Sequence, residues 1–337
     1  MRRWLPRLAG DERGMVLLLV LATVALFTAM VVEFGSDQSM DLELAYNYRD
    51  SLQAQYLARA GLEGGLKLLK DDDAAYDCLE DDWAKFAEYS LMTAGYLEGM
   101  SFSGTISDEC AKFDLNSLIK KDGQRDEFRA AQFKRLFKLL EIPASELAVD
   151  DLTKAIVDWI DADSDLIGPG GAEDDYYQGL EPAYRAKNAP FDAAEELLLV
   201  KGMKSEYFYG TEDYKGLNAY LTAGSGGKLN ANTAGEIMLQ SLSDKITPQI
   251  AKAVVDGRKD KPFKTKAELT EQFRLLGIDT SLKDEAGQTA LADVLTVASS
   301  WFMADIQGQM QGGAIINLKA CIQRMAKEPR VVYYKIY

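Results

Sequence analysis

The residues best equipped for chemistry lie between Asp158 and Tyr177, in the stretch DWIDADSDLIGPGGAEDDYY. Asp161, Asp163 and Asp165 alternate along a turn. Glu173 follows twelve positions after Asp161, with Asp174 and Asp175 directly behind it. Calcium takes about six to eight oxygen ligands in flexible geometry. Alternating aspartates supply several from one side, and a distal acid closes the shell. Gly168, Pro169, Gly170 and Gly171 let the chain fold back over an ion. An EF-hand closes one residue sooner and needs a glycine where this chain has Leu166, so the loop is a different construction with the same logic. Carboxylates this dense repel one another without a counter-ion. The expected cofactor is therefore calcium, with Asp161, Asp163, Asp165, Glu173, Asp174 and Asp175 as candidate ligands. The alternative is a solvated acidic surface loop. A catalytic carboxylate pair needs one acid kept neutral beside a cleft. Nothing in the residues indicates either, and no catalytic residue is expected.

Composition narrows the remaining chemistry. The 337 residues contain no histidine, which removes the usual zinc ligand and a Ser-His-Asp triad. Cys78, Cys110 and Cys321 show no Cys-x-x-Cys spacing. They leave two arrangements open: a Cys78–Cys110 bridge with Cys321 free, as export would permit, or three buried thiols. The formal net charge is −15. So acidic a body repels nucleic acid and suits divalent cations.

A second reactive position sits near the start. Gly14 ends a leader with four arginines and two acids, and an apolar run of 18 residues, Met15 to Val32, follows. As a helix the run measures roughly 27 Å, close to the thickness of a bilayer's hydrocarbon core. An ordinary secretory signal is cut after its apolar region, whereas here the glycine junction precedes it. A cut at Gly14–Met15 would leave the apolar helix on a mature chain of charge −17. The basic leader predicts a cytoplasmic N-terminus with the remainder exported. Arg13-Gly14 before such a run resembles the processing site of type IV prepilins and type II secretion pseudopilins, which a prepilin peptidase cuts after the glycine. Most of those families carry Glu at the fifth mature position; here it is Leu19. The Glu of a repeating subunit pairs with a neighbour's N-terminus, so its absence points to a subunit that caps a filament. The alternative is a plain N-terminal anchor or an uncleaved export signal.

The elements that must position these residues follow from periodicity. No proline interrupts residues 15 to 70, and Leu42, Ala45, Leu52, Tyr56, Ala60 and Leu66 fall at mostly helical spacings. One long helix is expected, apolar throughout its first half and amphipathic in its second. Gly61, Gly64 and Gly65 should weaken its last turns, and Asp71-Asp72-Asp73 should end it. Residues 97 to 118 alternate and read as a β-hairpin. The C-terminal segments ALADVLTVASSWFMADIQGQ, GGAIINLKACIQRM and PRVVYYKIY read as strands that return to pair with it. Between them, residues 120 to 286 read as helical, an insertion between strands.

GKLNANTAGEIMLQSLSDKITPQIAKAVVDGRKDKPFKTKAEL reads as a helix-hairpin-helix unit, with Asn232 or Thr233 as helix cap. Its turn, Leu242 to Pro248, lacks the glycines of DNA-binding versions. Lys252, Lys259, Lys261, Lys264, Lys266 and Arg258 form a small basic patch. The unit is expected to pack against protein. An echo at residues 197–202 suggests a second such unit.

One resemblance joins these parts. DWID at Asp158–Asp161, the acidic glycine-rich loop, EDDYY at Glu173–Tyr177, the segment Pro182–Pro190 and ELLLVKG at Glu196–Gly202 resemble the minor pseudopilin K family (GspK) of type II secretion. The resemblance extends over nearly the whole chain. It implies an α+β fold: a pilin-like long N-terminal helix on an antiparallel sheet, with a large all-α domain inserted between strands. The expected division is a leader at 1–14, a membrane and spine helix at 15–70, the first part of a β head at 71–119, an inserted α domain at 120–286 and the last strands at 287–337. The resemblance further implies calcium in the inserted domain and a non-catalytic role at the pseudopilus tip. The implied partners are minor pseudopilins I and J and the shaft subunits. The implied location is the inner membrane of a Gram-negative cell, single-pass, with the globular part in the periplasm. A minor pilin of a type IV pilus, a membrane-tethered calcium-dependent hydrolase and a DNA-binding protein using its hairpins are the rival readings.

Overall fold

The computed structural model describes residues 12–93, 99–120, 122–283, 289–325 and 328–337. Leader residues 1–11 lie outside that set. Helix α1 runs from Glu12 to Asp71 without a break. Its segment from Gly14 is long and apolar enough to cross a membrane, and none of the apolar window is buried against the rest of the chain. Thr23 and Thr28 donate their hydroxyls to the carbonyls of Leu19 and Val24, at 2.7 and 2.8 Å, so the run's two hydroxyls are satisfied within the helix.

The second half of α1 buries Ala54, Ala58, Leu62 and Leu69 against a four-stranded antiparallel sheet. The strands are β1 (Met100–Asp108), β6 (Trp301–Met310), β7 (Ile315–Met325) and β8 (Glu328–Ile336), in the order β1-β6-β7-β8. The glycines expected to weaken α1 have another role: a Cβ at Gly61 or Gly65 would press on Phe102 or Ile106. The facing Gly308 is tighter still, since a Cβ there would collide with the Ala54 carbonyl oxygen. Helix and sheet therefore approach backbone to backbone. Phe302, Ala304, Ile306, Leu318, Ala320 and Ile322 complete this core, with Trp83 edge-on to Phe302. Helix α2 (Phe86–Thr93) packs on β1.

The expected hairpin at 97–118 does not form; its first two residues lie outside the described set. Only β1 is a long strand, and it pairs with β6, Ile106 opposite Ala304. The Asp108 carboxylate accepts from Cys110 N at 2.8 Å and turns the chain into a short 3-10 helix, Glu109–Ala111. The chain then enters the two-residue β2 (Phe113–Asp114), paired in parallel with β3 (Leu221–Thr222). The alternation along β1 does mark a strand, but its partner lies at the other end of the chain. The C-terminal strands do return to it.

A second core holds the residues between. It spans Phe113 to Val297 and gathers α3 (Glu127–Leu139), α4 (Glu146–Ile160), α5 (Asp174–Tyr177), α6 (Ser205–Tyr209), α7 (Glu236–Ser241), α8 (Pro248–Asp260), α9 (Lys266–Leu275) and α10 (Leu291–Val294). Short parallel strands β4 (Leu229–Asn230) and β5 (Leu295–Thr296) lie near its exit. A buried polar joint connects the two cores. Asn230 Nδ2 donates to Asp108 and Ser299 Oγ, Thr233 donates to Asp108, and Ser299 N donates to Asp77.

Of the two arrangements open for the cysteines, the structure has three free thiols, with Cys78 and Cys110 buried. The helix-hairpin-helix reading needs correction at its cap. Helix α7 begins at Glu236 behind Gly235, with no side-chain cap. Asn232 is instead buried and brackets Phe263, accepting its N–H at 2.9 Å and donating to its carbonyl at 2.8 Å. The basic patch is reduced: Lys252 and Lys259 both pair with Asp256 and Arg258 turns inward to the carbonyls of Ala231 and Ala234, whereas Lys261, Lys264 and Lys266 are exposed, Lys264 over the Tyr76 ring. The echo at 197–202 is a 3-10 helix, Ala194–Leu199, followed by the five-residue α6.

Candidate functional site

Helix α4 delivers the acidic loop. Ser145 caps its start by accepting from Ala148 N, and Asp161 ends it. Along its last turn Asp158 is fully buried. Its two carboxylate oxygens accept from Ile167 N at 3.0 Å and Ala172 N at 2.8 Å, which folds residues 162–172 back over the helix end. Beneath the loop Trp159 stacks with Phe191 and meets Tyr177 and Tyr184 edge-on. The aromatic residues spread along the family-like segments are thus one cluster, and it is the foundation of the loop.

That fold brings Asp161, Asp163 and Glu173 together, with one carboxylate oxygen of each within 4.8 Å of the others. Asp161 and Glu173 are 8% and 7% exposed. Asp161 Oδ1 and both Glu173 carboxylate oxygens are buried without any hydrogen-bond partner. Buried unpaired carboxylate oxygens are expensive. Burial, then the charges of Asp163 and Asp158, pushes the Asp161 carboxyl up to about 6. Burial, then Asp158, Asp161, Asp163 and Asp174, pushes Glu173 up to about 7. Lys201 points past the group and donates to Gly171 O at 2.9 Å. An all-oxygen set with orphaned, mutually repelling carboxylates fits a hard divalent cation.

The other acidic candidates stand apart. The Asp165 side chain is outside the cluster; its N–H donates to Asp163 Oδ1 at 2.9 Å. Asp174 accepts from Ala186 N at 2.9 Å and so fastens the next loop, while Asp175 is exposed at the start of α5. Asn188 is not a candidate from sequence. Its Nδ2 donates to Asp163 O at 2.6 Å, and its Oδ1 is a further buried oxygen with no partner. The motif around Pro190 is visible in the sequence, but nothing in its spacing ties Asn188 to the aspartates. A second acidic group, Asp72, Asp77 and Asp81, is already occupied by protein donors: Arg324 for the first two, Cys78 N and Trp83 Nε1 for the third. Gly14 and Met15 lie exposed in the first turn of α1.

Two models of the type II secretion system protein K family match residues 111–223 and 229–292, together more than half of the chain and including the loop. The chain belongs to the type II secretion system protein K family. Type II secretion system protein K of Pseudomonas aeruginosa is 28% identical over 298 residues, covering 86% of this chain and 85% of that protein. The protein K of Aeromonas hydrophila is 29% identical over 311 residues, 87% of each. Among solved structures, a chain of the GspK-GspI-GspJ complex from enterotoxigenic Escherichia coli superposes with a TM-score of 0.63 at 21% identity. The match covers 89% of this chain and 99% of that one. That likeness shows a shared fold, the long helix, antiparallel sheet and helical region described above.

Proposed function

We propose that this protein K is a non-catalytic minor pseudopilin at the tip of the type II secretion pseudopilus, assembled with minor pseudopilins I and J. The observation that carries this reading is α1. Its membrane-length part carries no charge from Met15 to Val32 and leaves its surface uncovered, as do residues 33–49, while its last turns, from Asp50 to Asp71, are packed on the sheet. A uniformly apolar helix end satisfies a bilayer, and later neighbouring helices. The helical region is too bulky for a simple repeating shaft subunit. Leu19, in place of a carboxylate, asks for no neighbour above.

In this role the leader holds the N-terminus on the cytoplasmic face of the inner membrane, and cleavage after Gly14 frees Met15. The spine then packs with the helices of the other pseudopilins, with the head in the periplasm. Calcium at Asp161, Asp163 and Glu173, with Asn188 Oδ1 within reach of the same loop, neutralises the cluster and stiffens the loop on its aromatic base. The protein supplies positioning, and the ion supplies charge.

Co-purification tests the proposal. Tagged mature protein should bring down I and J together in stoichiometric amount. Retention of neither, with all three proteins folded, would overturn it.

A further inference from the structure

One face of α4 holds the acidic loop in place. Asp151, Lys154 and Asp158 fall three and four residues apart, so they line one side of the helix. Residues 167–172 cross that side. Lys154 Nζ donates to Pro169 O at 3.0 Å, and Asp158 accepts from the N–H groups of Ile167 and Ala172 at 3.0 and 2.8 Å. The approach is close: a Cβ at Gly170 would collide with the Asp151 carboxylate, and a Cβ at Gly171 with that of Asp158. Lys201 adds a further tie, from Nζ to Gly171 O at 2.9 Å, while its own N–H donates to the buried Tyr177 hydroxyl at 3.3 Å.

These ties oppose the loop's own charges. Asp161, Asp163 and Glu173 converge, and Asp161 and Glu173 bring buried oxygens without partners. Their repulsion favours an open loop. Many small metal sites form only as the ion arrives, so that part of the binding free energy goes into ordering the chain. Here protein groups already fix the backbone at Ile167, Pro169, Gly171 and Ala172, all between Asp163 and Glu173. Fixing them keeps Glu173 beside Asp161 and removes much of the ordering cost of binding. We infer that Asp158 and Lys201 are positioning residues that hold the loop in its ion-ready form before any ion is present. Neither has to touch the ion. Asp158 uses both carboxylate oxygens on backbone N–H groups, and a lysine ammonium has no acceptor to offer a cation. The consequence for affinity rests on the cation site proposed above; the clamp itself is measured without metal.

The test uses the full mature chain in nanodiscs, stripped with a chelator, followed by amide hydrogen exchange and then titrated with calcium by calorimetry. In metal-free wild type the Ile167 and Ala172 amides should exchange slowly. Asp158→Asn should speed both about tenfold or more, and should weaken calcium about tenfold, the scale for an outer-shell partner. Lys201→Met tests the sign. Removing a cation beside three carboxylates would by charge alone tighten calcium; loss of the tie to Gly171 O should weaken it instead. Fast exchange of both amides in metal-free wild type, or tighter calcium binding by Lys201→Met, overturns the inference. Slow exchange in wild type that is lost in Asp158→Asn, with no calcium heat from either protein, would remove the calcium reading and leave the clamp supported.

Discussion

Arg324, near the end of β7, and Asp77, in the loop after α1, meet although 247 positions separate them. Arg324 Nη2 donates to both Asp77 carboxylate oxygens, at 2.6 and 2.5 Å. The same guanidinium reaches Asp72 at 2.9 Å and Ser299 O at 2.8 Å. Its side chain is 4% exposed and that of Asp77 is fully buried. Breaking a buried ion pair by removing one partner leaves an uncompensated charge and costs about 3–5 kcal/mol. Arg324→Met should therefore lower stability by that amount, read from denaturant unfolding of the full chain. A loss within about 0.5 kcal/mol, the range of a surface substitution, would refute the joint's role.

Gly308→Ala should also be costly, by a different route. The new Cβ meets the Ala54 carbonyl oxygen, so α1 must move off the sheet. Overpacking of this kind costs about 1–3 kcal/mol. Differential scanning calorimetry should show the drop, and Gly14→Ala, at an open position, should not.

Calcium should raise the melting temperature of the metal-stripped chain. At roughly 100 times its dissociation constant a ligand specific to the folded state adds about 2.7 kcal/mol. Asp161→Ala with Asp163→Ala should abolish the rise, whereas Asp175→Ala should keep it. A wild-type melting curve unmoved by calcium would exclude the loop as a site.

Asp150 predicts a pH dependence. Burial raises its carboxyl, but hydrogen bonds from Lys134, Lys154 and Arg125 outweigh that and hold it well below the ordinary carboxylate range. The contacts are 2.7, 2.9 and 3.0 Å. The folded value lies below the unfolded one, so this stabilisation is present above about pH 4 and fades as pH falls through the folded value. Stability of the wild type measured from pH 6 down to pH 2 should fall more steeply than that of Asp150→Asn.

Processing has a direct readout. Intact mass of the membrane-extracted protein should place Met15 first. A mass that retains Met1, or a terminus near Ala29, would rule out cleavage after Gly14.

Much of the loop is legible in the residues alone. Asp161, Asp163 and Glu173 are among its six candidate acids, because turn residues and acids close in sequence stay close in space. Asp165, Asp174 and Asp175 look equivalent by composition, yet backbone geometry turns one outward and assigns Asp174 to Ala186 N. Asn188 is hidden because its link to Asp163 is a fold-back across the aromatic cluster.

By itself the sequence determined what depends on near neighbours. The unbroken helix follows from an apolar run without proline, and the insertion from helical periodicity between alternating segments. The loop's charge is local too. Tertiary structure alone decided what depends on distant partners. β1 found β6 rather than a hairpin mate, and Gly61, Gly65 and Gly308 became a contact surface rather than weak points. Lys252, Lys259 and Arg258 of the α7–α8 unit found partners at home. The physical reason is common to all. Burial and pairing free energies are settled by which surfaces meet, and periodicity shows only which surfaces are available.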